Sequence, residues 1–375
     1  MRRGQKWGIA FMVAALCGTV GCSGANETQK AANKAQKAAD ETKSKTEAPA
    51  PDTAQAARLT GKVLHFVSGK LGDKGFYDSA ERGLQKAAYV YGFKTATVEG
   101  GLDSSLWEAK LREQIASQAY EVIVVGTSTI KAVFMKLAAE YPKQQFVFYD
   151  DKIEGLPNVY AMVYSQSEGS FLAGAFAAMA TTDKTLSGAN PDKAIGFIGG
   201  LDTAVIRDFQ SGYEQGAAYI DPDVRVETAY VGDFTNQAKA KQLAEAQYES
   251  GGVDIIYNAA GGAGLGMLEE GSELHRYAIG VDSNQNGLYP GTVLTSILKN
   301  VDESVFRALS EYRGGRLPFG ETEELGVKEG GVGIARDELY EKHVPEAVKE
   351  KMKEIEAKIA SGDIQVQSSL TEEAP

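Results

Sequence analysis

From Lys62 onward, apolar residues follow two alternating periods. Short apolar runs of strand length are separated by longer stretches in which apolar side chains recur every three or four positions. That is the pattern of a parallel sheet with helices on both faces. Residues 63–67 form the expected first strand. A polar glycine loop follows, from Gly69 to Gly75, and opens onto Phe76, Tyr77 and a helix. Asp78 is the expected cap of this helix, with Glu81 closing a capping box, which leaves Phe76 and Tyr77 just outside its start. The helix carries Ala80, Leu84, Ala87, Ala88 and Tyr91 on one stripe and stops at Gly92. Further strands are expected at 95–98, 121–125, 145–150 and 158–164, and helices at 106–118, 130–140 and 167–180. The last of these, with Gly169, Ala173, Gly174 and Ala177, suits close helix packing.

The series then restarts. Strands are expected at 194–198, 225–231, 253–257, 277–281 and 293–298, and helices at 204–219, 236–250 and 303–313. Two βα series of this size predict an α/β protein of two similar lobes and not one oversized sheet. The expected organisation is residues 59–163 with about 286–312 as lobe one, 164–285 with about 313–361 as lobe two, and 362–375 as a flexible tail.

Composition narrows the function. The chain has 375 residues and a formal net charge of -12, which disfavours nucleic acid or an anionic membrane surface as a partner. Its two cysteines, Cys17 and Cys22, lie near the N-terminus, so no disulfide or thiolate metal site is expected in the folded part. His65, His275 and His343 lack metal-ligand spacing, and no metal or cofactor is expected. Residues 1–22 read as a targeting segment: Arg2, Arg3 and Lys6 precede an apolar run too short to span a membrane comfortably. The run ends Thr19-Val-Gly-Cys22, which resembles a bacterial lipoprotein signal with Cys22 as the lipidated (palmitate-bearing) residue. Gly21 fits that pattern and Thr19, where Leu is usual, does not. A soluble secretory signal is the alternative. Residues 23–58, rich in Ala, Lys, Glu, Thr and Pro, form the expected disordered tether.

Enzyme signatures are missing from the sequence. It has no GxSxG elbow and no phosphate-binding GxxxxGK[ST] loop. Gly262-Ala-Gly-Leu-Gly266 fails the dinucleotide pattern because its third glycine comes one place early. Polar and aromatic residues instead recur after strands: Asp73 and Phe76, Asp150, Phe209, Asn258 and Asp282. Each has a plain alternative. Phe76 could staple its own helix, Phe209 could join Tyr213 and Ala217 in a core stripe, and an Asp at a strand end is commonly a cap. Falling on one edge in both halves, they are better explained by a cleft between lobes, since open α/β sheets bind ligands beyond their carboxyl ends.

Seven ordered stretches carry a resemblance: residues 69–84, Phe171-Leu-Ala-Gly-Ala-Phe-Ala-Ala178, Ile195-Gly-Phe-Ile-Gly-Gly200, Phe209-Gln-Ser-Gly-Tyr-Glu-Gln-Gly216, Gly261-Gly-Ala-Gly-Leu-Gly266, Ile279-Gly-Val-Asp-Ser-Asn-Gln285 and Leu298-Lys-Asn-Val-Asp302. They resemble the basic membrane protein (BMP) family, the purine-nucleoside-receptor-like substrate-binding lipoproteins of ABC importers. The resemblance implies a type I periplasmic binding protein fold, two Rossmann-like lobes joined by three crossovers. It implies a non-enzymatic, monomeric receptor, lipid-anchored at the cell membrane and facing the periplasm or cell exterior. Its partners would be a purine nucleoside, ABC permease subunits and a cytoplasmic ATPase. Phe76 and Phe209 would sandwich the purine, Asp150 would bind the base, Asp282 with Lys299 the ribose, and Asp73 would neighbour the site. Tyr77 stands where many members have Asn, which reads a base edge in ways a phenol cannot, so the resemblance leaves the exact base preference open. A sugar or other small polar metabolite in the same fold, a nucleoside hydrolase, and an adhesive or sensory lipoprotein are the competing functions.

Overall fold

The computed structural model describes residues 61–370. Strand β1 (Lys62–Val67) is buried from its second residue onward, because its side chains serve two faces of a sheet. Val63 packs with Ala80 and Leu84 on one face, while Leu64 and Phe66 join Leu111 and Phe134 on the other. Beside it lie β2 (Lys94–Glu99), β3 (Val122–Gly126), β4 (Gln145–Tyr149), β5 (Val159–Tyr164) and β11 (Thr322–Leu325). All run parallel, in the order β11-β5-β4-β3-β1-β2. The second sheet holds β6 (Ala194–Gly199), β7 (Arg225–Tyr230), β8 (Ile255–Ala259), β9 (Tyr277–Asp282), β10 (Val293–Lys299) and β12 (Val332–Ile334). Its order is β12-β10-β9-β8-β6-β7, parallel except for β12. The two orders correspond strand for strand, so β4 matches β9 and β1 matches β6.

Helices α1 (Phe76–Tyr91), α2 (Trp107–Ala116) and α3 (Lys131–Glu140) cover the first sheet. Helices α4 (Gln166–Thr182), α5 (Ala204–Ile220), α6 (Gln237–Ser250) and α7 (Gly264–Glu273) cover the second. The chain passes between sheets three times: after β5, after β10 and between β11 and β12. Helix α8 (Val301–Arg313) returns to pack on α1, with Phe306 stacked on Tyr91 at 5.5 Å. The small residues of α4 have the role their spacing predicts. A Cβ on Gly174 would lie 1.9 Å from the Tyr213 carbonyl oxygen, and one on Gly216 would lie 2.0 Å from that of Phe171. The α4–α5 backbones therefore touch, which fixes the helix carrying Phe209.

Four expectations change. Asp78 and Glu81 form no capping box, and Phe76 and Tyr77 lie inside the first turn of α1. Asp73 takes the capping role, accepting from the backbone N–H groups of Gly75, Tyr77 and Asp78 at 3.1, 2.8 and 3.2 Å. Strand β8 starts two residues later than expected, and the buried Asp254 just before it fastens the loop ahead of β6 through Asn190 N–H and the end of α4 through Thr181 Oγ1. The lobe boundaries move too. β10 pairs with β9, which puts residues 293–299 in lobe two, and β11 pairs with β5, which puts 322–325 in lobe one. Finally, the flexible tail does not start at residue 362: beyond α9 (Glu338–His343) and α10 (Glu346–Ser361), which pack on lobe two, residues 364–369 are fastened to that lobe. Gln215 and Gln367 exchange two hydrogen bonds, and buried Asp208 accepts from Ser368 Oγ and Ser369 N–H.

Candidate ligand-binding site

The carboxyl edges of the two sheets line one cavity of ≈ 510 Å³, a size within the usual range for small-molecule sites. All six candidate residues, Asp73, Phe76, Asp150, Phe209, Asp282 and Lys299, are on its wall. The lobes touch beside it, where Ser283 Oγ donates to the Gly75 carbonyl at 3.0 Å and Gln285 Nε2 to that of Lys74 at 3.3 Å.

Backbone strain concentrates here. Thr127, Asp150 and Asp282 have φ of 86°, 74° and 63°, at or just beyond the ends of β3, β4 and β9. For non-glycine residues this costs on the order of 1–3 kcal/mol each. At Asp282 the turn is closed by Ser283 N–H donating to the Val281 carbonyl, a three-residue γ-turn that aims the side chain inward. Asp150 is held by its own N–H to the Met162 carbonyl at 2.8 Å.

Lys299 Nζ meets Asp150 Oδ1 at 2.5 Å, with both side chains at least nine-tenths buried. Asp150, and not Asp282, is therefore the counter-ion of Lys299, because β10 ends level with the Asp150 turn across the cleft. Burial pushes the Asp150 carboxyl up and Lys299 pulls it back. The ammonium also lies 4.9 Å from the Phe209 ring centre and 5.6 Å from those of Phe76 and Tyr164, a cation–π box. Asp282 is left without such a partner. Burial, opposed by Lys299 and reinforced by Asp73 and Asp150, pushes it up to about 7.

The two rings differ in how they are held. Phe76, half-buried, packs on Tyr149 and Tyr77, each 5.3 Å away between centroids. Its ring thus belongs to the cavity wall, supported from below by a strand residue, and is not a staple on its own helix. Phe209 is 5% exposed and leans on Tyr257 at 6.5 Å, so it is both a core residue and a wall residue. Both alternatives read from the sequence are partly true of it. Tyr77 does not offer its hydroxyl to the cavity: Oη donates to the Ser68 carbonyl at 2.7 Å, and burial pushes the phenol up to about 12. Asp73 lines the wall while both its oxygens accept from the backbone at the start of α1, so it fixes the turn that carries Phe76.

The wall residues that escaped the sequence reading include Trp107, Thr127 and Phe234. Trp107 was assigned only to a helix stripe, yet its Nε1 donates to the Gly101 carbonyl and its edge reaches the cavity. Thr127 and Phe234 follow β3 and β7, so the strand-end rule that found Asp150 would have found them. Cys22 and the targeting and tether segments lie outside the described residues. Among those described, no helix is long and apolar enough to cross a membrane.

The profile of a family described as ABC transporter substrate-binding protein, PnrA-like, matches residues 61–365. Basic membrane protein A of Borreliella afzelii is 30% identical over 309 residues, covering 81% of this chain and 90% of its own. The CD4+ T-cell-stimulating antigen of Listeria innocua serovar 6a is 29% identical over 319 residues, covering 80% and 85%. Among solved structures, an ABC transporter solute-binding protein from Aeropyrum pernix K1 superposes with a TM-score of 0.74 at 26% identity, over 81% of this chain and 92% of that one.

Proposed function

We propose that this chain, which belongs to the family of PnrA-like ABC transporter substrate-binding proteins, closes its lobes on a purine nucleoside and releases it to a membrane permease driven by a cytoplasmic ATPase. Its fold is that of the periplasmic binding proteins. One observation carries the choice of ligand: Phe76 and Phe209, from corresponding helices of the two lobes, line the same cavity as Asp150, Asp282 and Lys299. Opposed rings grip a flat heterocycle, worth ~1–3 kcal/mol for each stacked face. Asp150, paired with Lys299 at 2.5 Å, accepts from an N–H on the base edge. Asp282 accepts the ribose hydroxyls, two donors for a carboxylate that otherwise has no close counter-ion. A ligand lacking those donors leaves the acid buried and unmatched, at a cost of about 1–3 kcal/mol or more.

In this reading the ligand is carried and not transformed. The chain is held on the outer side of the membrane by a lipid on Cys22, with residues 23–58 as the tether. Thermal unfolding with saturating inosine, guanosine and adenosine tests the ligand class. At a hundredfold excess over its dissociation constant a ligand adds ~2.7 kcal/mol. A shift with ribose and none with any nucleoside would replace the purine reading with a sugar one. Release of free base on long incubation would replace it with hydrolysis.

A further inference from the structure

We infer that Glu81, His65 and Tyr149 form a buried relay that holds the Phe76 ring in place, an inference that rests on Phe76 being a ligand-facing ring. His65 occupies a position of β1 where the alternation calls for an apolar side chain, and it is fully buried. A buried imidazole is costly unless both nitrogens are matched. Here both are: Nδ1 lies 2.9 Å from Glu81 Oε2 and Nε2 lies 3.0 Å from Tyr149 Oη. Glu81 is anchored in turn by Thr97 Oγ1 at 2.8 Å and Gln85 Nε2 at 2.7 Å. Burial pushes its carboxyl up, but the donors from His65, Gln85 and Thr97 outweigh that and hold it at about 2. An ionised carboxylate only accepts, so Nδ1 carries the proton and, in the neutral ring, Nε2 accepts from the Tyr149 hydroxyl.

The far end of the relay is the Tyr149 ring, the support of Phe76 at 5.3 Å. That ring cannot retreat. A Cβ on Gly126 would sit 2.3 Å from it, so the glycine backbone already lies flat against its edge. Acid, histidine and hydroxyl in series is also the order that activates a nucleophile. The Tyr149 side chain is fully buried, however, and presents no atom to the cavity. The relay's output is therefore the placement of a ring.

The test uses Tyr149→Phe, which keeps the ring and removes the hydroxyl, and Glu81→Ala, which breaks the relay at the end remote from Phe76. Carbon-13 relaxation of the Phe76 ring in the ligand-free protein should show lost order in both variants and recovery in Glu81→Gln, which keeps an acceptor oxygen. Inosine affinity should fall about three- to tenfold in both, the worth of one hydrogen bond. In a Phe76→Ala background neither change should weaken binding further. Unchanged ring order in Tyr149→Phe, or an equal loss of affinity with Phe76 removed, overturns the relay. If the unmutated protein binds no inosine, the nucleoside reading fails and ring order alone decides the relay.

Discussion

Each lobe delivers a phenylalanine and an aspartate to the cavity from corresponding elements. Phe76 follows β1 and Phe209 follows β6; Asp150 follows β4 and Asp282 ends β9, both with positive φ. The backbone repeats, but the electrostatics do not. Asp150 has a buried ammonium at 2.5 Å, while Asp282 has none so close and is pushed up to about 7. The rings diverge as well: Phe76 is half-buried and held by a neighbour, whereas Phe209 is sunk into the core of its lobe. A duplicated scaffold thus supplies one acid paired with a buried ammonium beside a supported ring, and one acid without a close counter-ion beside a ring fixed in the core.

The sharpest way to break this comparison is to strip Asp150 of its charge. Asp150→Asn leaves Lys299 buried beside an amide, and removing one partner of a buried pair costs about 3–5 kcal/mol. Chemical denaturation should show that loss. A drop under 1 kcal/mol would mean that Lys299 swings to Asp282 and the acids are interchangeable.

The rings should separate next. Phe209→Ala should lose about 3–5 kcal/mol of stability, as a core phenylalanine does. Phe76→Ala should unfold almost as the parent does while binding inosine tenfold or more weakly, ~1.4 kcal/mol or above. Equal stability losses would erase the distinction between fixed and supported rings.

These contrasts show what could be read before the fold was known. Strand and helix order, the two lobes and five of the cavity residues followed from local signals, since apolar periodicity and strand-end residues are written in consecutive positions; Lys299 came from the family resemblance alone. Pairings between distant residues were not legible. Nothing near Lys299 in sequence says that its partner is Asp150, 149 positions away, nor does Glu81, a plausible capping residue, betray its bond to His65. The lobe boundaries failed for the same reason: which sheet β10 and β11 join is decided by long-range pairing. Asp73 and Asp78 are equally good caps on paper, and only the observed turn chose between them.

Removing the charge from Asp282 should act with the opposite sign to Asp150→Asn. A value of about 7 in the folded state lies above the unfolded value of about 4. Between those values the folded protein holds the extra proton, so stability falls as pH rises through that window and stays low above it. Asp282→Asn escapes this loss. It should be more stable than the parent at pH 8 by on the order of 1–3 kcal/mol, with the advantage gone near pH 4, while its nucleoside affinity drops tenfold or more.

The smallest effect should be the pH dependence of binding in the unmutated chain. If the ionised form of Asp282 accepts the ribose hydroxyls, a protonated site must release its proton before the ligand can bind. With the group near 7, affinity should be flat above pH 8 and about tenfold weaker at pH 6, following the ionised fraction. Calorimetry in buffers of different ionisation heat should register proton release at pH 6 and almost none at pH 8. A 2′,3′-dideoxynucleoside, which offers no hydroxyls to this acid, should bind weakly at every pH with no such slope. Affinity that instead rises on acidification would mean that Asp282 donates from its protonated form, and the two acids would then differ in chemical role and not only in charge.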